Sequence, residues 1–153
     1  MFTMNANITV DNDITLVILH NTPADMDFIA TVFEDIATLG VDIDMISIAP
    51  VQGSTTSLSF TIKDDDLMKL LGYTSKLKSK NIKPVVSSGN SIISIMDDTM
   101  QDNPGVAAKI FRTIADSNAD IRIVSTSQIQ VSVLVTEAVF EQAYKALSDC
   151  LNS

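Results

Sequence analysis

The residues best suited to chemistry in this chain are Asn103, Pro104 and Gly105, which stand directly ahead of an apolar run at helical spacing. Asn can cap a helix, Pro has the φ preset for a first helical position, and Gly lets a backbone or a ligand approach closely. A small polar ligand is therefore expected to dock at this point, although the same cap also starts helices that bind nothing. The other candidates are weaker. His20 is the only histidine and has no motif-spaced Ser, Cys or acidic partner, so it reads as polar surface rather than part of a triad or metal site. Cys150 is the only cysteine, which excludes an intrachain disulfide and a cysteine-based metal site and leaves packing. The runs Asp64, Asp65, Asp66 and Asp97, Asp98 lack the alternating ligands and glycine of a calcium loop, and are expected to cap and solvate. Lys76, Lys78, Lys80 and Lys83 fall late in a helix, where cations suit the dipole. There is no GxxxxGK[ST] and the five glycines are scattered singly, so no nucleotide site, no cofactor and no catalytic centre is expected.

The elements that would position the Asn103 loop are marked by periodicity. Val106, Ala107, Ile110, Phe111 and Ile114 recur as one helical face, Asn118 stands where a helix stop belongs, and a strand is expected over 121–127. The same unit occurs earlier at an offset of about 78 residues: Ala30 falls on Ala108, Phe33 on Phe111, Ile36 on Ile114, Gly40 on Asn118, Ile43 on Ile121 and Ser47 on Ser125. The chain contains an internal repeat.

In order, the first copy reads as a strand over 14–19, a loop over 20–25, a helix over 26–39 stopped by Gly40, a strand over 41–48, a strand over 55–63, a helix from Leu67 to about Lys80 behind the three aspartates, and a short strand over 83–87. The second copy repeats this with a strand over 91–96, the opening helix, strands over 121–127 and 129–135, and a last helix over 137–151. It lacks a fourth strand, whereas the first copy has a surplus one over 6–11, ending at a turn formed by Asp11, Asn12 and Asp13. Moving that strand into the second copy makes both units βαββαβ. The predicted fold is therefore α+β: two sandwiches, each an antiparallel sheet with both helices on one face. The first domain, 14–89, is an insertion in the second, made of 6–13 and 90–153.

Length and charge agree with two small domains. The chain has 153 residues, an apolar fraction of 46% and a net charge of −9, with only ten basic residues. Phosphate binding depends on clustered Lys and Arg, so neither a nucleic acid nor an anionic membrane is an expected partner. No apolar stretch is long enough to span a bilayer and the N-terminus lacks a signal-peptide pattern, so a cytoplasmic protein is expected.

The motifs NPGVAAKIF, IVSTSQIQVSVLV, VDIDMIS and TTSLSFTI, on tandem βαββαβ repeats, resemble the paired ferredoxin-like ACT domains of aspartate kinase regulatory regions. That family also lends its first strand to its second ACT domain. The resemblance implies a module that binds lysine, threonine or a related amino acid at an interface between ACT domains, usually as a homodimer, and that serves an aspartate kinase catalytic domain or subunit absent from this chain. It implies that Asn103, Gly105, Val106 and Ala107 offer backbone N–H groups to the effector's carboxylate, and that Asp120 and Ile121 stand where the family has Asn and Ile. Asp120 in that place would favour the ammonium group. The first copy departs from the pattern: the family's Asp-Lys-Pro-Gly becomes Ala24, Asp25, Met26, Asp27, and Ile48 with Ala49 replaces a polar pair. The second copy, completed by Asp25, Phe28 and Asp42, is thus the expected effector site. The alternative is a dimerisation module that binds no ligand. Acyl phosphate hydrolysis on the same topology needs an arginine in the anion loop, and neither Arg112 nor Arg122 is there.

Overall fold

The computed structural model describes residues 6–152. Its elements in chain order are β1 (Ala6–Pro23), α1 (Met26–Thr38), β2 (Ile46–Ile48), β3 (Thr55–Lys63), α2 (Leu67–Ser79), β4 (Lys83–Asp97), α3 (Pro104–Asp116), β5 (Ile121–Thr126), β6 (Gln130–Thr136) and α4 (Glu137–Leu151). Short 3-10 turns, Asp64–Asp66 and Asp98–Asp102, lead into α2 and α3. The chain divides into two compact units: Asp13–Ser88 is continuous, and residues up to Asn12 join those from Gly89 onward.

In the continuous unit the strand order is β2-β3-β1-β4, using the later part of β1 and the earlier part of β4. β3 runs antiparallel to both neighbours, with Val17 opposite Phe60 and Ile46 also opposite Phe60. Leu58, Phe60 and Ile62 alternate along β3 and bury one face against Val32 and Ile36 of α1 and Leu70 and Leu77 of α2, so both helices lie on the same side. Phe33 meets Phe60 edge to face, with centroids 5.9 Å apart.

The split unit has the order β5-β6-β4-β1, now with the later part of β4 and the earlier part of β1. Ile93 and Ile95 of β4 and Val131, Val133 and Val135 of β6 face Val106 and Ile110 of α3 and Ala143 and Leu147 of α4. Full burial of side chains such as Val106 and Ile110 contributes about 1.5–3 kcal/mol each. Cys150 packs as a buried thiol in this core.

The helices form where the sequence places them, because cap, apolar stripe and stop coincide. Asp25 caps α1, Gly40 follows it at φ 77, Asn103 caps α3 and Asn118 follows it at φ 55. The strands differ more. No reversal occurs at Asp11, Asn12 and Asp13: Asp13 takes φ 59 and β1 continues, since one left-handed residue kinks a strand without turning it. The expected loop over 20–25 shrinks to Ala24 and Asp25, with the irregularity absorbed by Asn21 at φ 62 and a register shift between Leu19 and Thr22. The strands over 83–87 and 91–96 are one strand, β4, carrying Gly89 at φ 74. The strand expected over 41–48 is regular only at Ile46–Ile48. Val41 is instead buried below α1, and Asp44 and Met45 bond Thr61 irregularly, which occupies the backbone before the ladder begins.

Candidate effector site

The start of α3 follows from three linked caps. Asp97 ends β4 and accepts from the backbone N–H of Thr99, which fixes the 3-10 turn Asp98–Asp102. The turn closes with Asn103 N–H donating to Met100 O at 3.2 Å, and Met100 is buried with Val106 and Ile110. Asn103 then accepts from Gly105 N–H through its side-chain oxygen at 3.2 Å, and from Val106 N–H through its carbonyl at 3.1 Å. The Gly105 and Val106 N–H groups, expected to be offered to an effector's carboxylate, both have partners within the loop here, because a good N-cap satisfies the groups an anion would otherwise use. The Val106 side chain is wholly in the core, and Ala107 is half-buried in the first turn.

Asp120 and Ile121 lie elsewhere in this unit. Ile121 stands opposite Val135, and Val135 opposite Ser91 near the start of the split unit's part of β4. Asn103 follows Asp97, at the other end of that segment. Six residues of strand span about 20 Å, and the 13 residues of α3 carry the chain back over the same length. The unit therefore does not bring Asp120 and Ile121 to the start of α3, and one small ligand cannot touch both within it. Asp120 is paired with Arg122 at 3.1 Å, with both side chains about half exposed.

Asp25, Phe28 and Asp42 belong to the continuous unit. Asp25 accepts from Asp27 N–H at 3.0 Å, so two carboxylates crowd the positive end of α1. The Phe28 ring is partly buried in the core, with Lys80 Nζ 5.9 Å from its centroid. Asp42 is exposed beyond the other end of α1.

Two cavities in the continuous unit contain none of the nine expected residues. One, of about 470 Å³, lies between α1 and α2 and is edged by Asp35, Tyr73, Lys76 and Lys80. Tyr73 donates to Asp35 at 3.0 Å; burial, then the bond and the charge of Asp35, raise the phenol above its ordinary value. The other, of about 310 Å³, is lined by His20, Asn21, Gln52 and Ser57, with His20 Nδ1 3.1 Å from Ser57 Oγ.

The functional candidate that sequence reasoning set aside is Asp97, expected with Asp98 to cap and solvate; it does cap, but it is buried. Its side chain is 1% exposed; Oδ1 accepts from Thr99 N–H at 2.9 Å and from Thr99 Oγ1 at 2.7 Å, and Oδ2 has no hydrogen-bond partner. The sequence signal was an aspartate directly behind the largely apolar segment Ile92–Met96, which marks a strand end but not burial.

Comparison with known proteins places this geometry. Residues 93–151 match the family model described as an ACT domain. The chain is 34% identical over 152 residues to an aspartokinase of Bacillus sp. strain MGA3, covering 95% of this chain and 37% of that protein. It is 30% identical over 146 residues to aspartokinase 2 of Bacillus subtilis, covering 93% and 35%. The chain thus spans about a third of the length of these curated relatives. Among solved structures, the ligand-free regulatory subunit of aspartate kinase from Thermus thermophilus superposes with a TM-score of 0.86 at 23% identity, over 97% of this chain and 99% of that one. A structure of aspartokinase alpha and beta subunits gives 0.80 at 28% identity, over 96% and 98%.

Proposed function

The chain is a tandem ACT-domain module related to the regulatory region of aspartokinases, and from that premise we propose that it senses an amino acid and controls an aspartate kinase catalytic domain or subunit. Lysine and threonine are the effectors to test first. The observation that carries this reading is that nearly the whole chain superposes on a protein that is itself a regulatory subunit. An effector acts by binding one arrangement of the module better than another, and that differential affinity is what reaches the kinase. Because Asp120 and Ile121 lie a helix length from Asn103, a ligand held at the start of α3 needs its remaining contacts from a second surface. A homodimer joined along strand edges supplies one. In their units β2 and β5 are edge strands, and β2 exposes Ile46 and Ile48. A cytoplasmic setting belongs to this reading.

A second reading, a dimerisation module without ligand, is favoured by the occupied N–H groups of Gly105 and Val106 and by the paired carboxylates at the start of α1. Thermal unfolding against a panel of amino acids at millimolar concentration separates the two. A ligand that binds only the folded state adds about 2.7 kcal/mol at 100 times its dissociation constant. A selective rise in midpoint, lost in Gly105→Val, supports effector sensing; no rise with any amino acid leaves the dimerisation module. Sedimentation at micromolar concentration reads the dimer directly.

A further inference from the structure

A buried ionised carboxylate is costly unless its charge is paired and its lone pairs are filled. Asp97 meets half of that requirement. Thr99 satisfies Oδ1 twice, whereas Oδ2 is closed off from solvent without a donor. Lys69 with Asp66, Arg112 with Asp116 and Arg122 with Asp120 are ion pairs elsewhere in the chain, and Asp97 belongs to none of them. The carboxylate also sits at a particular place. It is held by the first residues of the turn Asp98–Asp102, whose other end is Asn103, the cap of α3. A five-residue 3-10 turn rises about 10 Å, so a carboxylate and a helix N-terminus stand at the two ends of one short turn. The carboxylate complements the ammonium end of an amino acid, whose other end needs donors besides the occupied Gly105 and Val106 N–H groups.

We propose that Asp97 Oδ2 is the acceptor for the ammonium group of the effector, reached when the turn Asp98–Asp102 shifts. This inference rests on the effector-sensing reading and gives it a working part. Thr99 in that turn holds Oδ1 while Oδ2 stays buried and unfilled, which disfavours this arrangement of the turn. An incoming ammonium group fills that oxygen with charge-assisted hydrogen bonds and favours the shifted one. The unfilled oxygen is then what makes the two states of the turn differ in affinity.

The test is calorimetric titration of the full chain with L-lysine and with L-threonine, on the wild type, Asp97→Asn and Thr99→Ala, with ligand-free thermal midpoints measured alongside. Asn preserves the shape and an acceptor for Thr99 but removes the charge. Asp97→Asn is expected to bind at least tenfold more weakly while its ligand-free midpoint stays at or above that of the wild type; Thr99→Ala should keep its affinity within about threefold. The matching 2-hydroxy acids, which lack the α-ammonium group, should fail to bind the wild type. Unchanged affinity in Asp97→Asn, or equal binding of the hydroxy acids, overturns the assignment and leaves effector sensing standing. A lower ligand-free midpoint in Asp97→Asn overturns it too, because the carboxylate is then a satisfied structural group. A midpoint that rises with potassium chloride in the wild type and not in Asp97→Asn assigns the oxygen to an inorganic cation instead. If no amino acid of the thermal-unfolding panel binds the wild type, effector sensing fails and the role of Asp97 falls with it.

Discussion

Ile110 and Phe111 are adjacent apolar residues of α3, and their unequal burial predicts unequal importance. Ile110 is 0% exposed and Phe111 is 42% exposed. Ile110→Ala removes three buried carbons, which at about 0.8 kcal/mol each is a transfer loss of about 2.4 kcal/mol. The cavity, at about 24 cal/mol per Å³, adds about 1 kcal/mol where the site partly collapses, for a total of about 3–3.5 kcal/mol. Phe111→Ala deletes a larger side chain that is only partly buried, and should cost less, about 1–2 kcal/mol. Urea unfolding followed by tyrosine fluorescence reads this in a Tyr73→Phe background, because the chain has no tryptophan and two tyrosines. The remaining fluorophore, Tyr144, stacks on Phe140 at 5.7 Å and packs against the same core as Ile110. With a urea slope of about 1–3 kcal/mol per molar, the Ile110→Ala midpoint should fall by about 1 M or more. Equal shifts for the two variants would refute the assignment of Ile110, and not Phe111, to the core.

Other perturbations test single features. Asn103→Ala should destabilise the protein by about 1 kcal/mol and Asn103→Gly by only a few tenths, read from urea midpoints, because the side-chain cap on Gly105 N–H is lost in both but Gly fits the cap position better than Ala. Gly40→Ala should cost about 1–2 kcal/mol even though a Cβ there meets nothing within 4 Å, since φ 77 is what it must tolerate. Gly40→Asn should cost less, as Asn118 already adopts φ 55 at the matching place in the repeat. Tyr73 should resist ionisation in alkaline titration followed by near-ultraviolet absorbance, remaining protonated well above pH 10. Its folded state holds the phenol proton more tightly than the unfolded chain does. The stability this contributes is therefore complete below the unfolded pKa near 10 and is lost as pH rises beyond it, a loss that Tyr73→Phe should abolish.

What could be read from the sequence differs by element for physical reasons. Helices carry their own punctuation: Asn103 and Pro104 before α3, Asn118 after it, and a stripe through Val106 and Ile110 report local hydrogen bonding and one buried face. Strand limits depend on partners distant in sequence. Val41 and Ile43 alternate as a strand would, yet the core under α1 takes the Val41 side chain and Thr61 takes the following backbone. Left-handed residues at Asp13 and Asn21 resembled turns, but cross-strand pairing kept β1 extended through Pro23. The candidate site divides in the same way. The cap of α3 was legible, whereas its use of the very N–H groups assigned to a ligand was not, because that depends on where the Asn103 side chain turns. Burial of Asp97 was not legible either: it stands between a strand end and a turn of ordinary polar composition, in which Met100 packs into the core.

The split unit has a consequence for how the protein is made. Ala6–Asn12 belongs with residues from Gly89 onward, while Asp13–Ser88 needs nothing outside itself to complete its sheet. During synthesis at about 5–20 residues per second, the N-terminal segment waits about 4–16 s for the strand beside it. For that interval it carries unpaired backbone groups and the apolar side chains of Ile8 and Val10 on a nascent chain. The alternation of Asn7, Thr9 and Asp11 with those residues keeps the waiting segment half polar, a composition that favours its remaining single over pairing with a neighbouring nascent chain.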